Sequence, residues 1–98
     1  MTIIGTEHLS EFDRDNFAKK ALTAWKMICD RAEWNDFTEL RSQWPSTDQV
    51  GRCVVFNIRG NRYRLIAQIN YRARLLNVRR VLTHKEYDRG RWKDACDC

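Results

Sequence analysis

The feature that most constrains this chain is the alternation of apolar and polar residues from Cys53 to Thr83, broken by Gly60-Asn61. β-branched and aromatic side chains at every second position fit strands with one buried face, and a glycine at the reversal supplies the positive φ that a tight hairpin requires. Three strands are predicted, at about Cys53 to Ile58, Arg62 to Tyr71 and Leu75 to Thr83, joined as a β-meander. A meander with one apolar face needs a cover.

The upstream sequence supplies it. Phe17, Ala21, Leu22, Trp25, Ile28 and Cys29 recur at helical intervals and predict one long helix, with Thr6 or Ser10 as its cap and Ser10-x-x-Asp13 resembling a capping box. Asp36 is placed to cap a second helix in which Phe37, Leu40 and Trp44 share a side and which Pro45 ends. Ser46 to Gly51 reads as a polar connector, and Met1 to Ile4 as a short N-terminal strand ended by Gly5. The expected fold class is α+β, with two N-terminal helices packed on one face of a small antiparallel sheet.

At 98 residues the chain fits a single domain over 1–98, divided into a helical hairpin at about 6–45, a basic meander at about 53–83 and a C-terminal segment at 84–98. The longest apolar run is Cys53 to Phe56, whereas a membrane span needs about 20 residues, so a cytoplasmic protein without a membrane partner is expected. Cys29, Cys53, Cys96 and Cys98 do not read as a disulfide framework, and the tail thiols are expected to be reduced. His8 and His84 are far apart in sequence and give the Cys-x-Cys end no zinc-like companions; neither metal nor cofactor is expected.

Charge divides the chain unevenly. Residues 1–50 carry a net charge of −3 and residues 51–98 carry +8, which points the C-terminal half toward a polyanion. Strand parity sorts the cations further. In the middle strand Tyr63, Leu65, Ala67, Ile69 and Tyr71 face the helices, which puts Arg64 on the open face. In the last strand Leu76, Val78 and Leu82 are assigned to the packed face and Asn77, Arg79, Val81 and Thr83 to the open one, while Arg80 falls awkwardly on the packed side.

Directly after this strand comes Thr83-His84-Lys85-Glu86-Tyr87-Asp88-Arg89. Internal RNA cleavage requires a base for the 2'-hydroxyl, stabilisation of the phosphate and an acid for the leaving 5'-oxygen. An imidazole, which titrates near pH 6.5 when unperturbed, is the natural proton handler. His84 is that candidate, against a plain capping or packing role. Tyr87 is a candidate for base stacking or proton exchange, against a core tyrosine, and Arg64 and Arg79 for gripping the scissile phosphate, against solvated strand arginines. Arg62, Arg72, Arg74, Lys85, Arg89, Arg91 and Lys93 are candidates for holding backbone phosphates. Asp94 to Cys98 reads as a frayed terminus.

The string Val54-Val55-Phe56-Asn57-Ile58-x-Gly60-Asn61-x-Tyr63-Arg64-Leu65-Ile66, followed by Thr83-His84-x-Glu86-Tyr87-Asp88, resembles the HigB family of the RelE/ParE-type superfamily. Trp34-x-x-Phe37-x-Glu39-Leu40-Arg41 and Pro45-Ser46 extend the likeness over about His8 to Asp88. The resemblance implies a RelE-like fold and the toxin of a type II toxin–antitoxin pair, an mRNA endoribonuclease acting on the ribosome by metal-independent 2'-hydroxyl attack. It implies a HigA-like helix-turn-helix antitoxin, with operator DNA met only through the antitoxin complex. By position it carries function onto Arg64, Arg79, His84 and Tyr87, with Lys85 auxiliary. Two rivals remain, a gyrase-inhibiting toxin of the same superfamily and a non-enzymatic nucleic-acid-binding module.

Overall fold

Asp15 decides where the first helix begins. In the structure, a computed structural model that describes residues 1–12, 15–60 and 62–96 (the backbone alone for 10–12 and 94–96), the Asp15 carboxylate accepts from the backbone N–H groups of Phe17 and Ala18 at 3.0 and 3.1 Å. Helix α1 therefore spans Asn16–Arg31. The expected start near Thr6 or Ser10 is corrected: Thr6–Phe12 is a 3-10 turn, and Asp13 of the supposed capping box lies outside the described residues. Helix α2, Phe37–Gln43, begins as expected, with Asp36 Oδ1 accepting from Glu39 N at 2.9 Å. Such caps satisfy N–H groups that have no partner inside the helix.

The sheet has five strands: β1 (Thr2–Ile4), β2 (Asp48–Val50), β3 (Cys53–Ile58), β4 (Tyr63–Asn70) and β5 (Leu75–Thr83), in the spatial order β1-β5-β4-β3-β2. The meander β3-β4-β5 is antiparallel, as expected. The sheet as a whole is mixed, because β1 pairs parallel to β5. Gly5 lets the chain leave β1 at φ +75°; a Cβ there would collide with the Val78 carbonyl oxygen, so the position needs glycine. Three residues of the predicted polar connector form β2, which pairs with β3 and extends the sheet by one strand.

One face of the sheet carries the main core. Ala18, Leu22, Trp25 and Cys29 of α1 and Leu40 of α2 pack with Val54, Phe56, Ile58, Leu65, Ala67, Leu76, Val78 and Val81. Trp25 meets Phe56 edge to face at 5.3 Å, and Trp44 meets the same ring at 6.3 Å. Phe17 departs from the predicted stripe: it is 67% exposed, with the Arg59 guanidinium 4.8 Å from its ring centre. It sits at the first turn of α1, beyond the reach of the core.

The other face is not open. Cys53, Val55, Ile66, Leu82 and Trp92 form a second buried cluster, with Val50 and Tyr87 packed against it. The C-terminal part of the chain makes this cover: helix α3, His84–Asp88, is followed by a 3-10 turn at Arg91–Cys96 that brings in Trp92, only 3% exposed. The frayed end expected from Asp94 on is thus helical backbone as far as Cys96. Cys53 is disulfide-bonded, which overturns the expectation of a chain without disulfides, while Cys29 is free and its thiol is pushed up to about 12 by burial. The side chains of Cys96 and Cys98 lie outside the described residues.

A bulge explains Arg80. Ile66 pairs with Arg80 and Ala67 with Val78, so Arg79 is an extra residue in β5 and the alternation slips by one place. Val81 consequently belongs to the helix-side core, and Leu82 to the second cluster, the reverse of the simple parity assignment. Arg79 and Arg80 are both exposed opposite Ile66. No arginine enters the core at this point.

Candidate functional site

The site is assembled at the end of the sheet where β4 begins and β5 ends, and its local geometry follows from Thr83. The Thr83 hydroxyl accepts from Glu86 N at 3.2 Å, and the Glu86 carboxylate accepts from Thr83 N at 3.0 Å, closing a reciprocal cap on α3. His84 N donates to the Arg62 carbonyl at 3.0 Å and ties the turn to the β3–β4 hairpin. A helix of five residues owes its position to these bonds, being too short to be stable by propensity.

His84 and Asp88 lie one turn apart, with Nε2 and Oδ2 separated by 3.2 Å and both side chains 60% exposed. The contact orients the ring. A neutral imidazole that donates from Nε2 to a carboxylate presents its lone pair at Nδ1, the arrangement that a proton acceptor needs. Asp88 was part of the run singled out in the sequence, without a role; its i,i+4 spacing from His84 was the available signal. His84 shares a cleft of about 590 Å³ with Arg62, Tyr63, Thr83 and Lys85.

Arg64 and Tyr87 meet beside it. The Arg64 guanidinium carbon lies 5.0 Å from the Tyr87 ring centre, and Trp92 stacks on the same ring at 4.9 Å and 16°. Trp92 Nε1 donates to the Tyr87 carbonyl at 3.0 Å, which fixes the stack. Burial raises the Tyr87 phenol above the usual value near 10; Asp48 and Asp88 push the same way, and Arg64 opposes them. The phenol is therefore protonated at neutral pH and suited to donate a hydrogen bond rather than to act as a base. Trp92 was missed in the sequence because it belongs to no periodic stripe.

The remaining cations separate into groups. Arg79 stands exposed at the bulge, together with Arg80. Arg89, Arg91 and Lys93 are exposed after α3, and Lys93 Nζ lies 6.0 Å from the Trp92 ring centre. Arg72 and Arg74 are not brought to the site: they occupy the β4–β5 turn, at the opposite end of β4 from Tyr63, about 20 to 25 Å away at ~3.3 Å per residue. Arg74 instead donates to the Trp34 carbonyl at 2.7 Å and to Asn35 Oδ1 at 3.1 Å, bracing the segment between the helices. Among the described residues no group of three or more His, Cys, Asp or Glu side chains is arranged to hold a metal ion. No helix is long and apolar enough to cross a membrane.

Fold and charge together define a small basic α+β domain built on a mixed sheet, with its excess of cations in the C-terminal half of the sequence. The chain belongs to the HigB toxin family: residues 18–90 match the model of the RelE-like toxic component of a toxin-antitoxin system. It is also similar to the mRNA interferase toxin HigB of Escherichia coli (strain K12) and to the mRNA interferases HigB of Escherichia coli O157:H7 and Shigella flexneri, at 36% identity over 52 residues in each case. The chain spans about half the length of the curated relatives it matches, and half of its own length is aligned.

Proposed function

We propose that this protein is the toxin of a type II toxin–antitoxin pair and cleaves mRNA, acting in the cytoplasm on message held by the ribosome. The observation that carries the reading is the His84–Asp88 pair, 3.2 Å apart, adjoining the Arg64–Tyr87 contact in the basic half of a HigB-family chain. The names of the relatives, mRNA interferases, support the choice of substrate.

In the proposed reaction the 2'-oxygen bonds to phosphorus as its proton passes to His84, and the bond from phosphorus to the 5'-oxygen breaks. Arg64, with Arg79 beyond it, stabilises the charge on the phosphate oxygens. Tyr87 donates a hydrogen bond at the phosphate or the leaving oxygen, which acquires a proton to end as a 5'-hydroxyl. The products are a 2',3'-cyclic phosphate and a free 5'-hydroxyl end. A small catalytic set suffices if the ribosome holds the message in line, since positioning alone contributes up to about 7 to 11 kcal/mol.

Primer extension on an mRNA translated by purified ribosomes tests this. Cleavage is expected with the parent protein and a large loss with His84→Ala, Arg64→Ala and Tyr87→Ala. An uncut message overturns the ribonuclease reading; cutting that survives all three changes overturns the site. The proposed partner is a HigA-like helix-turn-helix antitoxin that covers the basic half or blocks its entry to the ribosome, and mediates any contact with operator DNA. A neutralised complex that leaves this half exposed and still binds ribosomes would contradict that.

A further inference from the structure

A disulfide in a chain proposed to act in the cytoplasm calls for an explanation, because thiol reductants there keep cysteines reduced and the disulfides that do form are usually transient, catalytic or redox-sensing. Cys53 is disulfide-bonded and Cys29 is free. The two lie on opposite faces of the sheet. Cys29 packs in the helix-side core, where burial pushes its thiol up to about 12 and leaves it inert, whereas Cys53 belongs to the second cluster with Val55, Ile66, Leu82 and Trp92. The chain has two further cysteines, Cys96 and Cys98, spaced as Cys-x-Cys. The backbone leading to them already crosses this face, since Trp92, in the same Arg91–Cys96 turn, packs in the cluster that holds Cys53.

That turn is the cover over the proposed site. Trp92 stacks on Tyr87 at 4.9 Å and donates to its carbonyl at 3.0 Å, and the Arg64 guanidinium lies 5.0 Å from the centre of the same ring. A single 3-10 segment following a helix of five residues has little stability of its own, so its seating depends on what ties it to the sheet.

We propose that Cys53 is bonded to the Cys96-x-Cys98 pair and that the bond is a thiol switch: oxidised, it clamps the turn on the sheet and holds Trp92 against Tyr87; reduced, it frees the turn to lift. Cys53 is fully buried, so a dithiol reductant attacks the tail sulfur. Its thiolate bonds to that sulfur as the S–S bond breaks, and Cys53 leaves as a thiolate, 4.0 Å from the Gln68 side-chain N–H, and takes up a proton. The second thiol of the reductant then displaces the tail sulfur, which leaves as a thiol. Two electrons and two protons enter the chain, and the reductant becomes a disulfide. The effect of the switch on RNA cleavage rests on the ribonuclease reading; its effect on the cover does not.

The test uses the intact protein equilibrated in oxidised or in reduced dithiothreitol, with free thiols then blocked by iodoacetamide. Trypsin cleavage after Arg52, Arg59 and Lys93 places Cys53 in fragment 53–59 and both tail cysteines in fragment 94–98. Mass spectrometry should find these two fragments linked in the oxidised sample alone. Reduction of the folded protein should lower its melting temperature by roughly 8 °C or more, expose Arg91 and Lys93 to brief trypsin digestion, and change the near-ultraviolet dichroism of the Tyr87–Trp92 stack. Cys96→Ser combined with Cys98→Ser, both replaced because either thiol can pair with Cys53, should match the reduced parent in both buffers. Cleavage of ribosomal mRNA should fall when the parent is reduced and should not respond in the double variant. Fragment 53–59 unlinked or linked elsewhere, a bond that resists dithiothreitol until the protein unfolds, or melting and digestion indifferent to reduction overturns the switch. Equal, measurable cleavage in both states overturns its control of the site. A message left uncut in both states, while melting and digestion respond, keeps the switch and overturns the ribonuclease reading.

Discussion

Trp92 links the C-terminal segment to the sheet, and its removal should be felt in both stability and site geometry. A tryptophan buries roughly 150 to 250 Å², which at about 25 cal/mol per Å² corresponds to at most about 4 to 6 kcal/mol of transfer free energy. Truncation of buried aromatics to alanine usually costs about 3 to 5 kcal/mol. Here two responses compete. If the Arg91–Cys96 turn stays in place, Trp92→Ala leaves a cavity against Val55, Ile66 and Leu82 and costs the full amount. If the turn lifts away, its residues recover conformational entropy of about 1 to 2 kcal/mol each, which limits the loss. We therefore expect about 3 kcal/mol in urea unfolding followed by far-ultraviolet circular dichroism, with a lower m-value if the turn has lifted. Trp92→Phe keeps a stacking ring but loses the 3.0 Å bond to the Tyr87 carbonyl, and should cost about 1 to 2 kcal/mol. A Trp92→Ala protein within ~0.5 kcal/mol of the parent, with its ring environment unchanged in near-ultraviolet dichroism, would refute the view that this segment is integral to the fold.

Three further outcomes follow from the geometry. The Asp15 carboxyl is held below its ordinary value chiefly by the Ala18 backbone N–H, with Arg59 and Tyr63 adding to it against some desolvation. A lowered folded value means stabilisation that is present above about pH 4 and is lost as pH falls through the folded value. Thermal melts of the parent between pH 5 and 2.5 should therefore fall more steeply than those of Asp15→Asn, which keeps a competent cap; parallel curves would contradict the assignment. Because burial raises the Tyr87 phenol, cleavage by the parent should show no Tyr87-dependent alkaline limb below about pH 10; a limb at pH 8 to 9 that disappears in Tyr87→Phe would show a phenolate at work. Gly5→Ala combines a left-handed backbone with a collision at the Val78 carbonyl and should destabilise by about 2 to 5 kcal/mol in urea; a loss under ~0.5 kcal/mol would show that β1 can shift freely.

The strands of the meander were legible because a half-buried strand writes its burial into alternate residues. Cys53–Ile58 and Leu75–Thr83 appear with the expected limits. The second helix was equally plain from Asp36 and Pro45. The first helix was misplaced at its start because Thr6, Ser10 and Asp15 all have side chains able to cap, and only the tertiary bonds from Arg59 and Tyr63 to Asp15 select among them. β1 was read from its β-favouring residues and the Gly5 that ends it, but its parallel pairing with β5 was not, and β2 was missed altogether, because three residues are too few to show a period and their pairing partners lie elsewhere in the chain.

Arg80 shows how a site can be hidden by the rule that reveals a strand. Alternation through β5 assigns each residue to a face only if the strand is regular, and on that assumption Arg80 pointed into the core. The conflict was itself the signal of a bulge, since a buried unpaired arginine is far more costly than one extra residue in an edge of the ladder. Resolving it moves Val81 inward and Leu82 outward. Leu82 then supplies part of the floor on which Trp92 and Tyr87 rest, beside Arg64, its partner across β4 and β5. The same slip therefore exposes two adjacent arginines and places an apolar support under the tyrosine. No count of residue types could have shown that these are one event, because the bulge is defined by its pairing with Ile66 and Ala67 rather than by the residues that form it.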